Sequence, residues 1–145
     1  VEHNIEGLTY DQKGKRLFLA VKDKDLVSND GKGVYAFDLT AKKLTKTPVY
    51  IISSPDALQQ KGKKKKGLRP SAIGVHPLSN ETYIVDGPKS QLLLLDQAGK
   101  LKELIVLGSQ FAKPEGITFD KAGRMFISNE RGKKSAANIV EVSLK

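Results

Sequence analysis

PEGITFDKAGRMFISNERG, residues 114–132, carries the clearest structural signal in this 145-residue chain. It contains a short apolar run, an Asp-led turn with a glycine, and a second run rich in residues that favour β structure. Two such runs on either side of a turn predict an antiparallel pair of strands. Related stretches occur at residues 5–23, IEGLTYDQKGKRLFLAVKD, and at residues 70–88, PSAIGVHPLSNETYIVDGP. The sequence therefore contains three copies of one structural repeat.

Each copy continues into further short apolar runs. A third run follows in every copy, at residues 34–39, 92–95 and 139–144. A fourth follows only in the first two copies, at residues 48–52 and 101–107. Four short antiparallel strands in about 40 to 50 residues are typical of a β-propeller blade. We therefore predict an all-β fold, a β-propeller fragment of about three four-stranded antiparallel blades in which the last blade lacks its outer strand.

The repeats also predict how the chain is organised. We expect one part-ring domain over residues 1–145, divided into blade 1 at about 3–52, a lysine-rich loop at 53–69, blade 2 at about 70–112 and blade 3 at about 113–145. A closed propeller has about four to eight blades, and each blade buries its faces only against its neighbours. We expect the ring to be completed by N-terminal blades of a longer polypeptide or, alternatively, by a second copy of the chain.

Composition excludes several kinds of protein. The chain has no cysteine, so it forms no disulfide, and no apolar run of about 18 residues predicts a membrane-spanning helix. It carries 25 basic and 16 acidic residues, a net charge of +9, with a lysine-rich run at residues 61–66. No aromatic residue is interleaved with these lysines, as stacking on a single-stranded nucleic acid would require. We therefore expect a solvated loop between blades and no nucleic-acid site.

The repeat motif resembles that of a known family. NIEGLTYD at residues 4–11 and KPEGITFD at residues 113–120 are similar to the blade repeats of the SdiA-regulated propeller family, which is grouped with NHL-like and gluconolactonase-like six-bladed propellers. The similarity covers essentially the whole chain, at the position of the family's C-terminal half. The middle copy departs from the motif because Ser71 and Ala72 replace Glu and Gly. The resemblance implies a bacterial protein that is periplasmic, secreted or lipid-anchored at the cell envelope.

Three residues are expected to ring one mouth of the central channel. Glu6, Ser71 and Glu115 each precede the point at which the chain enters the innermost strand of a blade. In gluconolactonase-like propellers acidic or amide residues at this place hold a divalent cation, so the resemblance implies calcium at Glu6 and Glu115. Converging carboxylates repel each other unless a cation or a raised pKa relieves them, and oxygen ligands suit calcium. The alternative is that both glutamates accept hydrogen bonds from backbone amides of the next blade.

The ends of the second strands supply further candidate residues. Asp86 and Asn129 align with each other in the repeat, and Glu130 and Arg131 follow Asn129. Together with Ser71 these side chains are expected to line the mouth and to bind a polar or anionic ligand. The alternative is that they cap turns, the usual role of Asp and Asn beside Gly, and this alternative is favoured for Asp86.

The sequence offers little evidence for catalysis. It has two histidines: His3 lies near Glu6 in the sequence, and His76 takes a turn position that aspartates hold in the other copies. No nucleophile elbow, zinc-protease helix motif or phosphate loop is present, and the acidic loop at residues 22–33 lacks the ligand spacing of a calcium-binding hand. We expect a binding or scaffold protein that recognises a small molecule, glycan or protein at the channel mouth. The alternative is a calcium-dependent hydrolase, similar to a lactonase or esterase.

Overall fold

A computed structural model describes residues 3–27, 31–52, 67–133 and 135–144. The described residues form twelve strands and one short 3-10 helix, Gly87–Lys89, which confirms the all-β prediction. The strands are β1 Ile5–Asp11, β2 Arg16–Val21, β3 Lys32–Asp38, β4 Lys43–Leu44, β5 Tyr50–Ile52, β6 Pro70–Val75, β7 Thr82–Asp86, β8 Gln91–Leu95, β9 Leu101–Val106, β10 Pro114–Phe119, β11 Met125–Asn129 and β12 Asn138–Val142. The lysine run at residues 61–66 lies outside the described part. Within that part no helix is long and apolar enough to span a membrane.

The strands form three antiparallel sheets, each built from one copy of the repeat. Blade 1 contains β1, β2 and β3 in order, with both β4 and β5 paired to β3. Blade 2 contains β6 to β9 in order, and blade 3 contains β10, β11 and β12. As predicted, the described residues of blade 3 provide no fourth strand. The arrangement is that of a partial β-propeller.

The outer strand of blade 1 is shorter than the sequence predicted. The apolar run at 48–52 pairs with β3 only from Tyr50, and the pairing at the other end of β3 is made by β4. Between them the hydroxyl of Thr45 accepts a hydrogen bond from the Ala36 backbone N–H at 3.1 Å, in place of a regular ladder bond. Pro48 has no N–H to donate to the sheet. The outer edge is therefore made in two short pieces.

Blade 2 is buried on both faces. The run QLLLL of β8, predicted to be enclosed between blades, is buried at all five positions, and so is β7. One apolar contact joins Phe18, Ala20, Val34 and Ala36 of blade 1 to Ile73, Ile84, Leu93 and Leu95 of blade 2. The other joins Ala72, Tyr83, Val85, Leu92 and Leu94 of blade 2 to Met125 and Ile127 of blade 3. Burial of each large apolar side chain contributes about 1.5–3 kcal/mol, so these contacts hold the blades together.

The innermost strands approach each other closely. A Cβ atom added to Gly7 would lie 2.9 Å from the Cβ of Ala20 and 3.0 Å from a methyl carbon of Ile73 in the next blade. Contacts of that length are too short for a real side chain, so the glycine of the repeat motif allows the first two blades to pack at this distance.

Several turns between strands are held by the same kind of interaction, in which one side chain accepts hydrogen bonds from backbone N–H groups. Asp38, Asp96 and Asp120 each accept two hydrogen bonds from backbone N–H groups of the turn that follows. In the turn between β6 and β7 His76 takes this role, because its Nδ1 accepts from the N–H of Leu78 at 3.3 Å and of Ser79 at 3.1 Å. His76 is therefore a turn-forming residue, as its place in the repeat indicated.

We expect the open face of blade 1 to cause self-association. Leu8 occupies the position in β1 that Ile73 occupies in β6, yet Leu8 is 60% exposed and Ile73 is 2% exposed; Tyr10, on the same face, is 50% exposed. Apolar patches of this kind drive association. Replacing Leu8 and Tyr10 by Gln should lower the apparent mass in light scattering. Leu78→Gln is the control, because Leu78 is 67% exposed in a turn. Equal effects of both changes would contradict the prediction.

A second prediction tests the turn role of His76. His76→Ala should lower the free energy of unfolding by about 1 kcal/mol, because two backbone donors lose their acceptor. His76→Asp should restore most of that loss, since Asp is the acceptor in the equivalent turns. Urea denaturation measures both. If Asp and Ala are equally destabilising, the contribution of His76 is instead its ring contact with Phe119, whose centroid lies 5.1 Å away.

Candidate binding site at the channel mouth

A β-bulge occurs at the same place in all three first strands. In β1 the register shifts between Ile5 and Gly7, in β6 between Pro70 and Ala72, and in β10 between Pro114 and Gly116. The extra residues are Glu6, Ser71 and Glu115. A bulge removes one residue from the ladder and redirects its side chain, and bulges are common beside functional sites. The repeat therefore places these three candidates at equivalent points of neighbouring blades.

Glu6 is paired with a lysine of its own blade. Its Oε2 lies 2.6 Å from the Nζ of Lys22, and its Oε1 accepts from the amide of Asn4 at 3.1 Å. The same Asn4 amide donates to Asp23 at 3.1 Å, and Asp23 forms an ion pair with Arg69 at 2.6 Å. These contacts link the entrances of blades 1 and 2 in one charged network. Among the described residues, the Glu6 carboxylate thus bonds to side chains of its own blade and not to backbone amides of the next blade.

Glu115 lies within the electrostatic field of the same lysine. Burial raises the pKa of Glu115, and the negative charges of Glu130 and Glu6 raise this pKa further. The ammonium of Lys22 opposes these effects and lowers it. Because Lys22 acts on both glutamates, it already supplies part of the positive charge that two converging carboxylates need.

Ser71 connects two blades. Its side chain is buried, and its hydroxyl donates to the backbone carbonyl of Pro114 in blade 3 at 2.9 Å. A Cβ atom added to Gly87 would lie 2.8 Å from this hydroxyl and 2.7 Å from the same carbonyl, so the three groups are tightly packed. Ser71 thus holds the mouth ends of blades 2 and 3 together.

Asp86 and Asn129 each carry a buried oxygen without a partner. Asp86 is fully buried; its Oδ2 accepts from Gln91 at 3.0 Å and lies 3.7 Å from the Lys89 ammonium. The amide nitrogen of Asn129 donates to Asn138 at 2.9 Å. Among the described residues, Asp86 Oδ1 and Asn129 Oδ1 have no hydrogen-bond partner. Such atoms are uncommon and mark places where a water or a ligand group is needed.

Asp86 lies before a turn, but its side chain has a partner on the neighbouring strand. Asp86 precedes the 3-10 helix Gly87–Lys89, but its side chain makes no capping hydrogen bond to that helix. Its carboxylate instead bonds to Gln91 on the neighbouring strand, where burial raises the pKa of Asp86. The sequence favoured a cap because Asp commonly precedes Gly in turns. It could not show that the Asp86 side chain bonds to Gln91 on the neighbouring strand.

Glu130 and Arg131 follow the end of β11 and are both exposed. Glu130 lies 3.4 Å from the ammonium of Lys113, and 60% of its side chain is exposed. Arg131 is exposed, and no ion pair to it occurs among the described residues. His3 is also exposed and faces the Lys24 carbonyl at 3.3 Å. No group of three or more His, Asp or Glu side chains in the described ranges is placed to hold a metal ion.

The acidic loop after β2 is held by hydrogen bonds. Asp25 is buried and accepts from the Gly33 N–H at 2.6 Å, the Tyr35 hydroxyl at 2.7 Å and the Val27 N–H at 3.0 Å. Burial, together with the Asp25 carboxylate, raises the pKa of Tyr35 to about 12. Asp25 therefore anchors the loop to β3. Its sequence neighbours at 28–30 lie outside the described residues.

Lys22 is the residue of the mouth that sequence reasoning missed. It follows β2 and aligns with Gly87 and Glu130 in the other copies, so the repeat predicted no shared chemistry for this position. The available signal was the opposite charge of Lys22 and Glu6, which the antiparallel pairing of β1 and β2 brings together.

Comparison with known proteins identifies the fold. No family model and no curated protein matches the sequence. Among solved structures, a luciferin-regenerating enzyme is similar with a TM-score of 0.62 and 8% identity over 95% of this chain and 44% of that chain. A chain of a nidogen/laminin complex has a TM-score of 0.59 and 13% identity over 93% of this chain and 42% of its own. Streptogramin B lyase has a TM-score of 0.53 and 12% identity over 97% of this chain and 41% of its own.

These similarities concern the fold alone. The chain has the blade architecture of a β-propeller, and it spans less than half the length of the three structures. The three sheets therefore correspond to a partial β-propeller.

Glu115 should make stability depend on pH. Its pKa is raised above the ordinary 4.5, so the folded chain binds this proton more tightly than the unfolded chain. The resulting stabilisation is present at low pH and is lost as pH rises from about 4.5 through the folded pKa. Glu115→Gln should therefore raise the free energy of unfolding near pH 7 by no more than about 1 kcal/mol, and should have little effect near pH 3.5.

Denaturant titrations at several pH values measure this difference. Glu103→Gln is the matched control, because Glu103 is an exposed glutamate of β9 far from the mouth in the strand order. A pH-independent effect of Glu115→Gln, or the same pH profile for both variants, would contradict the burial argument.

Proposed function

We propose that the chain belongs to an exported propeller of the SdiA-regulated type that acts as a binding or scaffold protein. Its ligand is a polar small molecule, a glycan or a polar segment of a protein, recognised at the channel mouth. The observation that carries this proposal is the bulge repeated at Glu6, Ser71 and Glu115. The three bulges occur near the start of each inner strand and take these residues out of the regular ladder, which supports a shared role for them at that end of the strands.

The chemistry of the mouth supports a polar ligand. Positive and negative groups occur together there: Lys22 forms an ion pair with Glu6 and acts electrostatically on Glu115, and the exposed Glu130 is followed by Arg131. Such a surface offers both donors and acceptors to a ligand rich in hydroxyl groups or carrying both charges. The partnerless oxygens of Asp86 and Asn129, just beneath it, are available to donors supplied by bound water or ligand.

Family membership and export are supported by the resemblance of the repeat motif at residues 4–11 and 113–120. The rest of the ring is part of the same proposal. The chain spans less than half of the similar structures, and its blade 1 face carries the exposed Leu8 and Tyr10. We propose that further blades, from the same polypeptide or from a second copy, cover that face and contribute the remaining part of the site.

A calcium-dependent hydrolase is the second candidate function. The observation in its favour is that the charge of Glu6 raises the pKa of Glu115, so the two carboxylates act on each other across the mouth. Together with the free Oδ1 of Asn129 they offer fewer oxygen atoms than the six to eight that calcium usually takes, and Lys22 is already bonded to Glu6. The described blades alone do not fit the ion, and further ligands would have to come from the other blades.

Thermal unfolding of the complete protein distinguishes the two functions. One series contains calcium chloride at about 1 mM, and the other contains a panel of neutral and acidic oligosaccharides, because a ligand that binds the folded state raises the melting temperature. We expect Glu6→Gln with Glu115→Gln to abolish either shift, and Arg131→Gln to reduce only a shift caused by an acidic oligosaccharide. Glu103→Gln should preserve all shifts.

A calcium shift without an oligosaccharide shift would favour the second candidate. Shifts that persist in the double glutamine variant would show that the ligand binds elsewhere. If neither probe shifts the melting temperature of the wild type, these oligosaccharides and calcium are not ligands of the mouth and the proposal in this form is wrong.

A further inference from the structure

A second cleft lies at the opposite end of the strands, between blades 1 and 2. It has a volume of about 330 Å³ and is bordered by the turn between β1 and β2 and by two turns of blade 2. The side chains that matter to its chemistry are those of Asp11, Lys13, Arg16, Tyr50, Asn80 and Gln97. β1 spans seven residues, so this cleft is about 20 Å from Glu6 and is separate from the channel mouth.

The guanidinium of Arg16 is fixed in position with its outer nitrogens free. Its Nε donates to the buried carboxylate of Asp11 at 2.8 Å, and its central carbon lies 4.7 Å above the ring of Phe18. Its two terminal nitrogens make no hydrogen bond to any described residue, although only 33% of the side chain is exposed. A guanidinium held in this way is prepared for two parallel hydrogen bonds to a carboxylate.

Further donors line the same cleft. The Lys13 ammonium donates to the side-chain oxygen of Gln97 at 3.1 Å, which bridges blades 1 and 2 and uses one of its three N–H groups. Asn80 has a left-handed backbone with φ of 56°, and its N–H donates to the His76 carbonyl at 2.9 Å. Its half-buried side-chain amide has no hydrogen-bond partner in the described ranges. Lys13, Arg16 and Asn80 therefore all have unused donors facing one small space.

One wall of the cleft is apolar and rigid. Tyr50 packs edge-on against Phe18 with ring centroids 5.5 Å apart, and a Cβ atom on Gly99 would lie 2.0 Å from the Tyr50 ring. Gly99 has φ of 82°, so its backbone conformation and this contact both require glycine. Burial raises the pKa of Tyr50, and its hydroxyl donates to the backbone carbonyl of Gln97 at 3.4 Å, which fixes the ring to blade 2.

The counterpart of Arg16 in blade 3 has different electrostatics. Arg124 is the counterpart of Arg16 and lies 5.8 Å above Phe126, but it faces two carboxylates, Asp120 at 2.7 Å and Glu141 at 3.9 Å. Its positive charge is therefore balanced within blade 3. In the described part of the chain Arg16 forms an ion pair only with Asp11, whose other oxygen is bonded to the Gly14 N–H, and Lys13 adds a positive charge. The remaining carboxylate near Tyr50, Asp96, is bonded to its own turn.

We propose that the cleft between blades 1 and 2 binds a small organic anion through its carboxylate. The carboxylate accepts two hydrogen bonds from the terminal nitrogens of Arg16 and one from Lys13, while the Asn80 amide bonds to a neighbouring hydroxyl or carbonyl of the ligand. The carbon skeleton packs against the edge of Tyr50. Because Lys13 and Arg16 belong to blade 1 and Asn80 to blade 2, the bound anion links the two blades.

Titration of the protein with glycolate tests the site, with acetate and inorganic phosphate as comparison anions. Amide resonances in two-dimensional NMR should shift in a saturable way at Lys13, Arg16, Asn80 and Gln97, with glycolate binding more tightly than acetate, because acetate lacks the hydroxyl group for Asn80. Arg16→Gln should weaken glycolate binding by about tenfold or more. Arg124→Gln, the same change in the equivalent turn, should leave it unchanged.

Asn80→Gly is the second variant, because glycine accepts the left-handed backbone while the amide is deleted. It should remove the preference for glycolate over acetate without unfolding the chain. This variant keeps the test valid if Arg16→Gln does not fold because Asp11 has lost its ion-pair partner. If phosphate binds more tightly than glycolate, the cleft prefers a phosphate group to a carboxylate, and that result would contradict the proposal. Absence of saturable shifts at about 10 mM glycolate, or equal loss in the Arg16 and Arg124 variants, would overturn it.

Discussion

The burial of blade 2 between its two neighbours is the constraint on which the rest of the structure depends. A four-stranded sheet has two apolar faces and cannot cover either of them by itself. The leucine run of β8 and the facing residues of β7 are buried because blades 1 and 3 cover them. This packing sets the spacing of the inner strands, and it requires glycine or alanine at the positions of Gly7 and Ala72, where neighbouring strands come closest.

The same packing creates the two candidate sites. At one end of the inner strands, the bulges release Glu6, Ser71 and Glu115 from the ladder, and Ser71 links two blades through the Pro114 carbonyl. At the other end, the turns of adjacent blades leave a cleft in which Arg16 is oriented by Asp11 and Phe18. Both sites are made by more than one blade, so their geometry follows from how the sheets stack. Equivalent positions of the three copies can hold different residue types, as Asp11, His76 and Asp120 do in the turns after the first strands.

Much of the fold could be predicted from the sequence because the repeat is strong. The strand pairs on either side of the Asp-led turns and the enclosed β8 strand follow from local apolar patterns, which report on burial directly. The outer strand of blade 1 was predicted less well, since Pro48 and the Thr45 hydroxyl change the pairing locally. For the candidate site, alignment of the copies located the three residues at the bulges, but it could not show that Asp86 bonds to Gln91 and leaves its helix uncapped.

The sequence by itself determined the class of fold, the number of repeats and the equivalence of Glu6, Ser71 and Glu115 in the first strands, because these depend on periodicity along the chain. Only the tertiary structure decided the chemical partners. The ion pair of Lys22 with Glu6, the lysine's influence on Glu115 and the free nitrogens of Arg16 depend on distances between strands and between blades. Hydrogen bonds and ion pairs weaken steeply with distance and angle, so residues that are equivalent in the repeat can have entirely different partners in space.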